Sequence, residues 1–233
     1  MIDEAIRYLK EGDDAVRTVL IGGVLTLFAF LIVPLFAVAG YLVRVLDRAG
    51  RGDEEPPVFD EWGALIVDGL KASAIAFVYA LVPAVVLIAF LASGGLLGAT
   101  GSDLLGAIGG LTALVGGVVW LALSLLVAYA VPAALANFAE SRRVSAGFDV
   151  ETMRRVLANR TYATGWLTAF AIIVVGGVVS SLLNVVPVLG FIAGAFVGFY
   201  AAVAAYYVIG KTWGEIRHPP VREAPATRGQ VEI

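Results

Sequence analysis

Five apolar stretches with no internal Asp, Glu, Lys or Arg decide what this chain can fold into. Four of them, at about 72–97, 105–136, 162–183 and 186–209, exceed the ~20 residues a helix needs to cross a ~30 Å hydrocarbon core. Inside lipid every backbone N–H and C=O must be bonded within the protein, which leaves helices or a closed barrel. Uninterrupted runs of this length specify helices. The fifth stretch, 18–43, is long for one helix and short for two, and carries Pro34 near its centre. The expected fold is all-α: a polytopic transmembrane helical bundle, multi-pass in the cell membrane.

The residue inventory removes most chemistries. Hydrophobic residues make up 60% of the chain and charged ones 15%, against ~45–50% and ~25% for a soluble domain. With no cysteine, a disulfide framework, a zinc–thiolate site and a thiol nucleophile have no material. His218 is the only histidine, which excludes a Ser-His-Asp triad and a multi-histidine metal site. A net charge of −3 argues against nucleic acid as a partner. No catalytic residue, metal or cofactor is expected, and the chain reads as a non-enzyme.

Basic residues set the expected topology, because Lys and Arg in short connections mark the cytoplasmic side. The connections at about 93–103 and 184–188 contain none. They are expected outside, and both termini inside. The 72–97 and 105–136 stretches then form one hairpin, and the 162–183 and 186–209 stretches another. The 18–43 stretch is favoured as a short intramembrane hairpin turning near Pro34; a single Pro-kinked helix with an external N-terminus is the alternative. The opening residues carry acids where a secretory leader needs bases, so insertion is read as architecture. Residues 1–213 are expected to form one membrane domain and 214–233 a disordered cytoplasmic tail.

Three segments begin alike, with a hydrophobic residue followed by Asp: Ile2-Asp3, Phe59-Asp60 and Phe148-Asp149. Asp is a good helix N-cap. Behind each, apolar residues recur at helical spacing. The interfacial positions are Ile2 and Ile6, then Phe59, Trp62 and Ile66, then Val150 and Met153, with Glu61 and Asp68 expected in water. These segments are expected to be amphipathic helices lying on the cytoplasmic membrane surface. Each is followed by a hydrophobic pair, which suggests repeat units at about 1–50, 58–140 and 147–213.

Glycines at 190, 194 and 198 share one helical face, as close helix–helix packing requires. The contact is within the chain or, alternatively, a homo-oligomer seam. Arg142, Arg143, Arg154, Arg155 and Arg160 form the densest basic cluster and are candidates for contact with anionic lipid headgroups. The spans hold no Asp, Glu or His, so a proton-coupled transporter lacks its titrating group.

The motifs Gly40-Tyr-Leu-Val-Arg-Val-Leu46, Glu55-Pro-Pro-Val-Phe-Asp-Glu-Trp-Gly63 and Val67-Asp-Gly-Leu-Lys71 resemble a haloarchaeal integral-membrane family, domain of unknown function 4013. Gly12-Asp-Asp14 and Leu20-Ile-Gly-Gly23 fit it as well. The resemblance runs to about Trp213 and implies no activity or catalytic residues. Thirteen arginines against three lysines suit a GC-rich halophile.

The function expected from these features is a membrane-organising or scaffold protein that acts through its surface helices, with membrane lipids and its own copies or a partner membrane protein as contacts. The alternative is a passive channel or the membrane subunit of a transporter.

Overall fold

The computed structural model describes residues 2–9 and 14–218. Among these there are eight α-helices and one 3-10 turn: α1 Ile2–Tyr8, α2 Ala15–Leu27, α3 Ile32–Arg51, α4 Trp62–Gly98, α5 Asp103–Ser141, the turn Val144–Phe148, α6 Val150–Leu157, α7 Arg160–Leu183 and α8 Pro187–Arg217. No strand occurs among the described residues. The all-α class is as expected. Four helices, α4, α5, α7 and α8, are long and apolar enough to cross a membrane.

The connection between α4 and α5 turns at Gly101, whose φ of 74° suits glycine, and Ser102 then caps α5. The hairpin is close-packed because Gly94 and Gly109 face each other, each leaving no room for a Cβ. In the α7–α8 hairpin the matching contact is Gly176 against Ala201.

The 18–43 stretch is a hairpin, but its turn is at residues 28–31, ahead of Pro34. Three turn N–H groups, those of Phe28, Ala29 and Leu31, find local carbonyls at 2.9–3.1 Å, which answers the need for satisfied backbone at apolar depth. Pro34 falls in the first turn of α3, where its missing N–H has no helical partner to lose. Gly22 and Gly23 of α2 pack on Phe199 and Phe196, whereas Tyr41 of α3 meets Phe199 and Gly50 meets Gly210. Thus α2 runs antiparallel to α8 and α3 parallel to it. A single kinked helix does not form.

At 1.5 Å per residue α4 is about 55 Å and α5 about 58 Å long, well beyond a ~30 Å apolar core. The surplus is put to use at the end of the bundle where the basic residues gather. There Leu65, Ala72 and Ile75 of α4 and residues 133–139 of α5 are buried with Val43, Val45 and Leu46 of α3 and Val203, Val208 and Ile209 of α8. α3 is wedged between α4 and α8 and also touches α5. Toward the opposite end the helices are bare: only 6% of the most apolar stretch of α5 and 11% of those of α4 and α7 is buried inside the chain. Something apolar has to cover those faces.

The expected disordered tail starts too early. Residues 214–217 continue α8, because Gly214 packs directly on Gly50 and Trp213 donates to Glu140. The remainder of that tail, from 219 on, lies outside the described residues, as do Gly12 and Asp13.

Candidate functional site

The structure gathers its polar chemistry at the basic end, and the organising piece is the segment between α3 and α4. Gly52, with φ 85°, ends α3, and residues 53–61 fold back over that helix as a strap. Pro56, Pro57 and Phe59 of the strap are buried. The Phe59 ring stacks on Tyr41 at 4.3 Å and tilts against Phe199 at 6.1 Å. Strap carbonyls are held from below by α3: Arg44 donates to Val58 and Asp60, and Arg48 to Pro56. Tyr8 of α1 donates to Glu55 at 3.2 Å. Arg44 also pairs with the Asp60 and Glu61 carboxylates.

The next piece is a clasp. Arg142 stands at the C-terminus of α5 with φ 57°, an uncommon conformation for a non-glycine residue. That geometry turns its guanidinium onto Asp47 of α3 at 2.6 Å and Asp68 of α4 at 2.9 Å. Asp47 is also paired with Arg51. Three helices are thereby tied by one side chain. The two carboxylates are only 11% and 17% exposed, so losing Arg142 would leave Asp47 to Arg51 alone and strand the Asp68 charge where water reaches it poorly.

A third group lies where α5, α6 and α8 meet. Glu140 accepts from the Trp213 indole at 2.9 Å, contacts His218 Nε2 at 3.1 Å and pairs with Arg217. Asp149 caps α6 by accepting from the N–H groups of Glu151 and Thr152 and from the Thr152 hydroxyl. That hydroxyl, more than the backbone donors, holds the Asp149 carboxyl below its ordinary value.

Several expectations are corrected by these contacts. Asp149 is the only one of the three proposed aspartate caps that caps a helix: Asp3 lies inside α1, and Asp60 precedes an uncapped start of α4 at Glu61. The second surface helix is not separate, because Trp62 is the first residue of α4 itself. Phe59 is buried, but Trp62 is 45% exposed and Ile66 half-buried. The buried stripe is Leu65, Gly69, Ala72 and Ile75, the face that α3 and the 3-10 turn cover. Asp68 does not face water freely but serves the Arg142 clasp. In α1, Ile2 and Ile6 are exposed while Ala5, Tyr8 and Leu9 are buried. In α6, Met153 is buried and Val150 exposed, since the helix turns residues 153 and 156 toward the bundle.

The glycine face is split. Gly190 packs so tightly on the Leu183 carbonyl that a side chain would overlap it, Gly194 makes ordinary contact with Ser180, and Gly198 faces open space. The first two contacts are within the α7–α8 hairpin. Closer approaches occur at other glycines, above all Gly40 of α3 against Gly69 of α4.

The five arginines do not form one patch either. Arg142 is committed to its clasp and Arg155 to Glu151. Arg143, Arg154 and Arg160 are exposed and without an ion pair among the described residues.

The site residues missed from sequence are Arg44, Asp47, Arg48 and Asp68. Arg44 and Asp68 lie within the motifs quoted above, Asp47 and Arg48 directly follow the first of them, and helical spacing puts Arg44, Asp47 and Arg48 on one face of α3.

Two further features bear on function. A groove of about 340 Å³ between α1, α7 and α8 is lined wholly by apolar surface, including Ile2, Ile6, Gly176 and Ala201. Among the described residues no group of three or more acids and histidines converges to hold a metal ion.

No curated protein and no solved structure matches the chain. A family described as protein of unknown function (DUF4013) matches residues 24–185. That span contains the strap, both ends of the Arg142 clasp and the Gly40–Gly69 crossing. With well over half of its length matched, the chain belongs to the DUF4013 family of proteins of unknown function.

Proposed function

We propose that this protein is a non-enzymatic scaffold, or membrane-organising protein, that works through the lateral faces of its two long hairpins. The observation that carries this reading is the contrast between the two ends of the bundle. At the basic end, strap, clasp and core fix the helices to one another. Away from that end the hairpins present apolar side chains such as Leu121 and Val178, each 54% exposed. Such a molecule offers surfaces for lipid and for apolar helices of its own copies or of a partner membrane protein. Transport has less support, because the groove between α1, α7 and α8 has no polar lining.

A photo-crosslinking residue placed at Leu121 or at Val178 tests the reading in native membranes. Discrete protein adducts are expected from at least one position. Lipid adducts alone at both positions would refute a protein-contacting scaffold.

The reading includes a cell-membrane location with both termini cytoplasmic. Its support is that α1 docks on the C-terminal half of α8, through Glu4–Lys211 and Tyr8–Tyr207. The two connections free of Lys and Arg close the hairpins at their other ends. Cysteine in place of Asp3 or Glu215 should resist an impermeant thiol reagent in intact cells and react after permeabilisation. Reaction in intact cells at either position would overturn the assignment. Arginine-rich usage supports a haloarchaeal source.

A further inference from the structure

A polar cavity of about 450 Å³ opens at the basic end between α5, the 3-10 turn, α6 and α8, within the usual range for small-molecule sites. Its charged lining is Glu140, Arg143, Asp149 and Arg217. Three of these four already have partners. Both Glu140 oxygens are engaged, by His218 on one side and by Trp213 and Arg217 on the other. Asp149 is engaged by the first turn of α6 and by Thr152. The Arg143 side chain has no ion pair or hydrogen bond among the described residues, so the cavity offers one uncommitted cation with a fork of donors.

It also offers one uncommitted acceptor. Asn137 lines the cavity and is only 5% exposed. Its amide nitrogen donates to the Ala146 carbonyl at 2.8 Å, which fixes the side chain and leaves the amide oxygen free to accept. The Ser145 hydroxyl adds a neutral group on the same wall. A ligand that satisfies this lining carries one anionic group for Arg143 and a hydrogen-bond donor for Asn137. Guanidinium binds phosphate oxygens with paired, charge-assisted bonds.

We infer that this cavity is a binding site for a glycerol phosphate ester, with the phosphate on Arg143 and a glycerol hydroxyl on Asn137. The inference is independent of the scaffold reading. Two sources carry this chemistry, the headgroup of phosphatidylglycerol and free glycerol phosphate.

Full-length protein in mixed micelles, titrated with short-chain phosphatidylglycerol, short-chain phosphatidylcholine or soluble glycerol phosphate, tests the site. Phosphatidylglycerol is expected to bind more tightly than phosphatidylcholine, whose headgroup has no donor. Arg143→Gln should weaken it about tenfold, the loss of one charge-assisted bond pair. Arg154→Gln removes the same charge one element away, outside the cavity, and should weaken it less than about twofold, as for a distant exposed charge. Competition by soluble glycerol phosphate assigns the free ester as the ligand; its failure to compete assigns the lipid. Equal binding of the two lipids, or equal losses in the two variants, would overturn the proposal.

Discussion

The indole N–H of Trp166 in α7 donates to the carbonyl of Ala128 in α5 across 2.9 Å, and Ala128 lies four residues before Pro132. Proline has no N–H, so within α5 the Ala128 carbonyl has lost its helical partner. One residue on, Tyr162 donates to the Tyr129 carbonyl at 2.8 Å. The proline thus leaves the Ala128 carbonyl free for α7 to use, and with the Tyr162 bond beside it this joins the two hairpins where α3 does not separate them. Trp166→Phe should cost about 1–3 kcal/mol, the price of an unsatisfied carbonyl in a water-poor site. Pro132→Ala restores the helical N–H, and in that background the same change should cost less than about 1 kcal/mol. A double-mutant cycle of unfolding in micelles measures the coupling. Additive losses would show that the indole bond does not depend on the proline.

Gly40 and Gly69 let the backbones of α3 and α4 touch. A Cβ on either would overlap a carbonyl oxygen of the facing helix, Leu65 for the first and Phe36 for the second. Backbone cannot swing aside as a flexible side chain can. Gly69→Ala should therefore destabilise by about 1–3 kcal/mol or more, despite the better helix propensity of alanine, worth about 1 kcal/mol. Gly198→Ala, where nothing is near, should be neutral or stabilising. Thermal unfolding of the two variants side by side separates crossing from propensity, and equal midpoints would contradict the crossing.

Phe59 and Trp62 look alike in sequence but not in the structure. Phe59 is 7% exposed between Tyr41 and Phe199, whereas Trp62 is 45% exposed. Phe59→Ala should cost about 3–5 kcal/mol, as for a buried aromatic. Trp62→Ala should cost less than about 1 kcal/mol, since it loses only a side contact with Phe59. Chemical denaturation of both variants checks the ranking, and the reverse order would mean that the strap is not anchored by Phe59.

What could be read in advance was whatever lipid dictates locally. The charge-free length of each stretch specified four spanning helices, and their ends were placed within a few residues on most boundaries. What could not be read was which helices meet. A 3.6-residue stripe such as Phe59, Trp62 and Ile66 marks an apolar face without saying whether lipid or protein covers it. In a membrane chain the lipid-facing side is equally apolar, so hydrophobicity no longer tells inside from outside. Leu65 and Gly69 carry that information instead, through size. The same reasoning explains Gly194 and Gly198, small residues in a row whose partners depend on the crossing geometry. Arg142 was counted among the free arginines because its acids, Asp47 and Asp68, are 95 and 74 residues away. The family motifs held part of the missing signal, since residues that carry the resemblance, Gly40, Arg44, Phe59 and Asp68, take part in the crossing, the strap and the clasp.

Docking of α1 should depend on pH. Lys211 donates a hydrogen bond to Glu4 at 2.8 Å and holds its carboxyl below the ordinary glutamate value. A lowered folded-state value means that the contact stabilises docking above the ordinary carboxylate range. The stabilisation is lost as pH falls through the lowered value. Backbone hydrogen exchange over residues 2–9, corrected for the intrinsic pH dependence, should therefore rise on acidification. Glu4→Gln should exchange fast already at neutral pH. Protection that is unchanged in acid and in Glu4→Gln would show that Tyr8, Tyr200 and the apolar contacts hold α1 alone.

Solute flux tests the scaffold account most directly. The apolar stretches of the four long helices hold no Asp, Glu or His, and Ser180 is bonded to the Gly194 carbonyl near the turn between α7 and α8, leaving little at depth to coordinate a driving ion. Purified protein in liposomes should neither accumulate solute under an imposed proton or sodium gradient nor release trapped ions faster than protein-free vesicles. Gradient-driven uptake that disappears when Ser180 and Ser181 are both replaced by alanine would contradict the account and establish a transporter.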